Sequence, residues 1–277
     1  MDGFSEWEET DMGRFKFEDD YLYMMPAHFG GMKYVTKTTT YRDVTNLIIQ
    51  YRTERDAIEP YVPAALEITD PTLTVAFVTN RGVEWMAGGV YNLVAVNVPV
   101  RFDGKVDHIE GGFSLVVWEN KVTPILPGRE ATGIPKIGAT IEEARHLFGR
   151  WMAEAAYEGN TFLEMSLTEG DELPAQAIEN WNQMSQESHW LGWRYIPNVS
   201  GPGAALNHPT TYPQGSVIRS ARMCTGTIRW KALSWEQAPT QAHITSALAG
   251  MPVLEVTAAF VTRGESILLG DKARELR

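Results

Sequence analysis

The sequence predicts a mostly antiparallel β fold of the α+β class, and three observations carry that expectation. Runs rich in Val, Ile, Leu and aromatic residues recur through the chain. Turn dipeptides separate them, and only two segments favour helix. The runs are Leu47–Tyr51, the alternating Val94-Ala95-Val96-Asn97-Val98, the apolar Phe113–Trp118, Val217–Trp230 and Val253–Val261. The turn signals are Asp70-Pro71, Gly88-Gly89, Asp103-Gly104, Gly111-Gly112 and Pro127-Gly128, where Gly and Pro supply the backbone angles that reversal needs.

The helical segments follow from capping and composition. Thr53-Glu54-Arg55-Asp56 reads as a capping box opening a short helix that Pro60 limits. Pro174 to His189 is polar and free of glycine and predicts a second. Ile141–Glu158 is ambiguous, since its Glu, Ala and Arg favour helix while it lies between β-runs. Residues 1–25 read as an acidic arm containing aromatic residues, and residues 26–277 as a single domain.

A chain of 277 residues with 44% hydrophobic residues is long enough to bury a large core. Its single cysteine, Cys224, cannot close an internal disulfide and reads as a small core residue in a strand, which predicts a reducing, cytoplasmic setting. The acidic N-terminal segment has no apolar signal region. No stretch approaches the roughly 18 consecutive apolar residues of a membrane span, so no membrane partner is expected. A net charge of −11 without a basic cluster argues against nucleic acid.

Several chemistries find no support. Gly-rich phosphate loops and dinucleotide fingerprints are missing, and the six histidines (28, 108, 146, 189, 208, 243) form no close ligand pair. No metal or other cofactor is expected. Gly215-Ser216 lacks the flanks of a nucleophile elbow.

The stretch that carries chemistry is Gly128-Arg129-Glu130-Ala131-Thr132-Gly133-Ile134-Pro135-Lys136-Ile137-Gly138. Two glycines and a proline predict a bent, non-helical backbone that delivers one lysine beside Ile134 and Ile137. Apolar surroundings disfavour a charged lysine, and a neutral amine forms a Schiff base with a ketone or aldehyde. A solvated loop lysine is the competing reading of the residues alone. Arg129 and Glu130 read as a structural ion pair at the site.

Gly-Arg-Glu followed after a short gap by Pro-Lys resembles the active-site signature of the acetoacetate decarboxylase family. Tyr51-Arg52-Thr53 with Ala57-Ile58 and Val62-Pro63…Leu66-Glu67-Ile68, then Asn97-Val98-Pro99-Val100…Phe102-Asp103-Gly104, Tyr195-Ile196-Pro197-Asn198 and Met251-Pro252-Val253-Leu254-Glu255 follow in the family's order. The resemblance spans about residues 40–265. It implies a closed β cone or barrel around a buried lysine, with a few peripheral helices and homo-oligomeric assembly. It also implies Lys136 as the imine-forming residue, acting on a small-molecule carbonyl substrate without a cofactor.

The chain departs from the family pattern twice. Ile137 stands where the decarboxylase has a second lysine. In Gly89-Val90-Tyr91-Asn92-Leu93, Leu93 falls where the family carries a glutamate. The reading is therefore a lysine-dependent lyase that makes or breaks a carbon–carbon bond next to a carbonyl, of aldolase, retro-aldolase or dehydratase type. A decarboxylase of a larger keto acid and a non-catalytic binding protein of the same fold are the alternatives. The resemblance offers Arg42, out of register with the family's arginine, as a carboxylate anchor and Tyr91 as a pocket residue. His28, in Pro26-Ala27-His28-Phe29-Gly30-Gly31, is a candidate acid–base. Among the nine tryptophans, Trp181, Trp190 and Trp193 cluster near the second predicted helix, as core or interface or as lining for a bulky substrate.

Overall fold

The computed structural model describes residues 13–33 and 38–277. Compactness divides the chain into two units, residues 1–37 and Thr38–Arg277, so the division falls beyond the expected arm boundary at residue 25. In the first unit, β1 (Tyr21–Leu22) pairs antiparallel with β2 (Met32–Lys33). Phe15, Phe17 and Tyr23 stack edge-on beside them. Residues 1–12 of the expected arm lie outside the described residues.

The second unit is built on one 14-stranded sheet. Its elements in chain order are β3 (Thr38–Arg52), α1 (Arg55–Ile58), β4 (Leu66–Ile68), β5 (Thr72–Val83), β6 (Gly89–Asp103), β7 (His108–Glu119) and α2 (Val122–Glu130). There follow β8 (Lys136–Gly138), β9 (Arg145–Leu147), β10 (Arg150–Tyr157), β11 (Asn160–Glu172) and α3 (Ala175–Met184). The chain ends with β12 (Trp190–Pro197), β13 (Ala204–Thr211), β14 (Gln214–Trp230), α4 (Ala242–Gly250), β15 (Glu255–Leu269) and β16 (Arg274–Glu275). The strand order is β16-β13-β12-β7-β6-β5-β3-β15-β14-β11-β10-β9, with β4 added on β6 and β8 on β7. Pairing is antiparallel except for β7 with β12 and with β8.

The mostly antiparallel fold is therefore present, but hydrogen bonds do not close it. The outermost strands, β9 and β16, are three and two residues long and do not pair with each other. Such short ends leave little open edge for another chain to join.

Period-two alternation divides the central strands between two faces. Leu47, Ile49 and Tyr51 of β3, Leu73, Val75 and Phe77 of β5, and Val94, Val96 and Val98 of β6 pack one side into the main core. That core also takes Trp118, Phe162 and Leu248. The alternate residues, among them Asn46, Ile48, Ala76, Val78 and Ala95, line a cavity. Two neighbouring bulges change the parity at one end. Between Tyr41 and Val44, β3 has two residues against one of β15, and between Asn80 and Val83, β5 has two against one of β6. An extra residue turns the strand, so Arg42 and Asp43 are both exposed while Tyr41 and Val44 are both buried.

Several local expectations change in three dimensions. Gly111-Gly112 is not a turn but lies inside β7, where a Cβ on Gly111 would sit 2.2 Å from the His189 carbonyl and one on Gly112 against the Trp190 ring. These glycines allow close approach beside β12. Gly128 to Glu130, expected to be non-helical, form the last turn of α2 with Pro127 inside it. The ambiguous Ile141–Glu158 stretch becomes β9 and β10, because pairing with β11 buries Trp151, Ala153 and Ala155 on one face. The Thr53 box does not cap α1. Glu54 is the N-cap residue, without a side-chain bond, and the Thr53 hydroxyl is buried without a partner. Pro174–His189 contains α3, whereas α4 was not foreseen. Among the described residues no helix is long and apolar enough to cross a membrane.

Candidate active site

The cavity of about 380 Å³ is lined by residues of β3, β5, β6, β7, β8, β14 and β15, a size within the range of small-molecule sites. Val117 and Glu119 are two residues apart on β7 and share the cavity face, while Trp118 between them enters the core. On the parallel neighbour β8, Lys136 lies opposite Val117 and Gly138 opposite Glu119. A parallel pair needs a crossover connection, and α2 supplies it. Lys136 thus projects into the same face as Glu119, with its Nζ 2.8 Å from Glu119 Oε1.

Local packing fixes this arrangement. Lys136 Nζ donates to the Pro124 carbonyl of α2 at 3.1 Å, and the Lys136 carbonyl accepts from Arg129 Nη1 at 2.8 Å. A Cβ on Gly128 would lie 2.6 Å from Lys136 Cδ, so a glycine leaves the channel for the lysine stem. Gly133, at φ +74°, makes the turn into β8 against the backbone of Arg194. From the core side Gln241 accepts from Trp118 Nε1 at 2.7 Å and donates to the Gly138 carbonyl at 2.8 Å. One amide therefore holds both strands that carry the pair.

Glu119 is fully buried and Lys136 partly so, at 0% and 13% side-chain exposure. Their contact is a close ion pair rather than an aligned hydrogen bond, and Glu119 Oε2 has no hydrogen-bond partner. Burial pushes the Glu119 carboxyl above its ordinary range, and Lys136 opposes that rise. Tyr91, 3% exposed, has its phenol pushed well up by burial, with further rises from Tyr41 and Glu119. Tyr41, whose ring centroid is 6.2 Å from that of Tyr91, accepts from Trp85 Nε1. Tyr212 is pushed up to about 12 by burial, moderated by Ser114, whose Oγ also donates to Asn97 Oδ1. These phenols stay protonated near neutral pH. Asn80 is 4% exposed, lines the cavity, and its Nδ2 has no hydrogen-bond partner.

The comparisons with known proteins bear on this arrangement. The family model described as acetoacetate decarboxylase (ADC) matches residues 24–266. The chain belongs to the acetoacetate decarboxylase family. It is 26% identical over 222 residues to an acetoacetate decarboxylase of Burkholderia multivorans, covering 77% of this chain and 78% of that one. The crystal structure of acetoacetate decarboxylase from Legionella pneumophila is similar at TM-score 0.71 and 16% identity, over 97% of this chain and 94% of that one. The enduracididine biosynthesis enzyme MppR, complexed with the condensation product of pyruvate and imidazole 4-carboxaldehyde, aligns at TM-score 0.64 and 16% identity, over 87% and 90% of the chains. These two structural likenesses establish the shared fold.

Of the residues singled out from sequence, Lys136, Tyr91 and Leu93 line the cavity together, as do Trp181 and Trp190. Arg42 does not join them. The bulge turns it outward, where its side chain is 66% exposed and pairs with Glu84. His28 belongs to the N-terminal unit, where it is exposed and stacks on Phe29. Arg129 and Glu130 do not pair with each other among the described residues. Arg129 holds the Lys136 carbonyl, while the Glu130 carbonyl accepts from Arg194 Nε at 2.6 Å. Ile137, in place of the family's second lysine, packs on the core. Trp193 also packs there and donates to Asn207. Sequence reasoning missed Glu119 and Asn80. Glu119 follows directly on the apolar run Phe113–Trp118, and period-two spacing from Val117 was the available signal. Among the described residues no group of three His, Cys, Asp or Glu side chains is placed to hold a metal.

Proposed function

We propose that this chain is an imine-forming lyase that makes or breaks a carbon–carbon bond next to a carbonyl. The observation that carries the reading is a lysine amine held at the wall of a cavity of about 380 Å³ with a buried carboxylate 2.8 Å away. Glu119 takes a proton from the Lys136 ammonium, and the freed amine attacks the carbonyl carbon of the substrate. Glu119 then returns the proton to the carbinolamine hydroxyl, which leaves as water and gives the iminium ion. When the bond from the adjacent carbon breaks, its electron pair enters the iminium and forms an enamine, while the departing carbon leaves as a carbonyl whose hydroxyl proton passes to the Glu119 carboxylate. Protonation at carbon and addition of water release the product and restore the amine. In the condensing direction the enamine carbon attacks a second carbonyl.

In this scheme Tyr91 keeps its proton and donates a hydrogen bond to an oxygen on the reacting carbons. Leu93, in place of the family's glutamate, and the outward Arg42 favour aldol-type chemistry over expulsion of carbon dioxide from a small keto acid. The condensation product held by MppR supports the same reading by analogy of fold.

The test is borohydride trapping with a panel of ketones and aldehydes. The expected result is a mass increase on the Lys136 peptide that disappears in Lys136→Ala. An adduct confined to other lysines, from a panel that labels a known imine-forming enzyme, overturns the reading.

A further inference from the structure

The charges of the cavity wall carry an inference about what enters it, and it rests on the imine-forming reading above. Among the described residues lining the cavity, Lys136 is the one cation, and Glu119 and Glu265 are the carboxylates. Each is already matched. Lys136 pairs with Glu119, and Glu265 with the exposed Arg219 at 2.7 Å. The rest of the wall is apolar, aromatic or neutral and polar, and includes Trp181, Trp190 and Tyr212 together with Asn46, Asn80 and Asn97.

A carboxylate moved from water into such a space loses its hydration and needs an uncompensated cation or several donors in return. Lys136 cannot serve as that cation while Glu119 is ionised beside it, and Arg42 faces outward. Of the neutral donors, Asn46 Nδ2 is taken by Thr262 and the Ser114 hydroxyl by Asn97, which leaves the Asn80 amide. An uncharged carbonyl compound meets no such penalty. Its apolar body lies against the aromatic rings, and the unpartnered Asn80 amide is left to donate to an oxygen.

We infer that the substrate is an uncharged ketone or aldehyde with an apolar or aromatic body, and that keto acids are discriminated against by the Lys136–Glu119 charge match. The Glu119 carboxylate is then a specificity element as well as a proton carrier.

Calorimetric titration of the full chain with benzylacetone, a neutral aryl ketone, and with phenylpyruvate, a keto acid of similar size, tests this. Benzylacetone is expected to bind at least about tenfold more tightly, as one uncompensated buried charge costs at least that factor. Glu119→Gln removes the counter-charge and is expected to shift the ratio of phenylpyruvate to benzylacetone affinity at least about tenfold in favour of phenylpyruvate. Phenylpyruvate binding as tightly as benzylacetone to the unmodified chain overturns the inference, as does absence of benzylacetone binding. Borohydride trapping run in parallel separates the two proposals. Preferential benzylacetone binding without any Lys136 adduct sinks imine chemistry and leaves the neutral-ligand preference standing. A Lys136 adduct with phenylpyruvate alone does the reverse.

Discussion

Two carboxylates of the same large sheet region meet cations in opposite ways. Asp107, just before β7, receives Arg274 through both guanidinium nitrogens, at 2.6 and 2.9 Å, and the Arg277 backbone N–H at 2.8 Å. Its carboxyl is pushed down to about 2, chiefly by the Arg274 hydrogen bonds. Glu119, at the far end of β7, is wholly buried, has one unpartnered oxygen, and is pushed up by burial. A carboxylate whose lone pairs are filled is a latch. One that is enclosed and left partly unfilled can change protonation state at little cost, and this is what imine chemistry requires.

The largest expected effect comes from breaking the buried pair on one side. On the imine-forming reading Lys136→Met is expected to abolish turnover, and it leaves the Glu119 carboxylate buried without a counter-charge, a loss of about 3–5 kcal/mol at neutral pH. The pH dependence has a definite sign. With Lys136 gone, the folded-state carboxyl value rises further above the ordinary 4.5. The destabilisation is therefore absent below the unfolded value and grows as pH rises through the folded one. Urea unfolding of both proteins across that range should show the gap closing in acid. A gap that stays constant would remove Glu119 as its cause.

Replacing both partners sharpens the comparison. Glu119→Gln with Lys136→Met discards the charges together, and stability is expected to return to that of the unmodified chain or exceed it by about 1–4 kcal/mol. Activity stays lost. Thermal unfolding of the single and double variants measures the difference, and a double variant as weak as Lys136→Met would show that packing rather than charge is at stake. Gly128→Ala is a gentler intrusion. Its methyl group meets the lysine stem, so trapping at Lys136 should slow by about tenfold, about 1.4 kcal/mol of misplacement energy, with the fold retained. Trapping at an unchanged rate would show that the stem has room to move.

The smallest effect belongs to the latch. Asp107→Asn removes the charge that holds Arg274, and hydrogen exchange at Leu276, whose amide donates to the Pro209 carbonyl, should quicken while trapping at Lys136 is unaltered. The unmodified chain should do the same in acid. The contribution of the latch is complete above 3.8 and is lost as pH falls towards about 2.

How much of this was legible in the sequence differs sharply between the lysine and its partner. Lys136 sits among Gly128, Gly133 and Pro135, residues that constrain the backbone and so stand out in a linear reading. Glu119 is in a strand, seventeen positions earlier as 136 − 119, and only the parallel pairing of β8 on β7 brings the two together. Such long-range register leaves no local mark. The strands themselves were readable from the alternating Val94–Val98 and the apolar run Phe113–Trp118, because each signal is local. Gly111-Gly112 misled for the opposite reason: a close neighbouring strand and a turn both ask for glycine. Arg42 misled because the resemblance that offered it was already out of register there, and the bulge turns its side chain outward.

That bulge ties the bend of the strand, rather than the lining of the cavity, to a matter of length. Tyr41 and Val44 share the interior only because Arg42 and Asp43 together take up one extra place. A one-codon deletion between them would leave Tyr41 and Val44 two places apart, where ordinary alternation keeps both inside and the remaining charged side chain outside, and would remove only the local bend of the strand. Relatives that lack the extra residue would thus keep the same lining on a straighter strand, whereas substitutions elsewhere along β3 would alter it one side chain at a time.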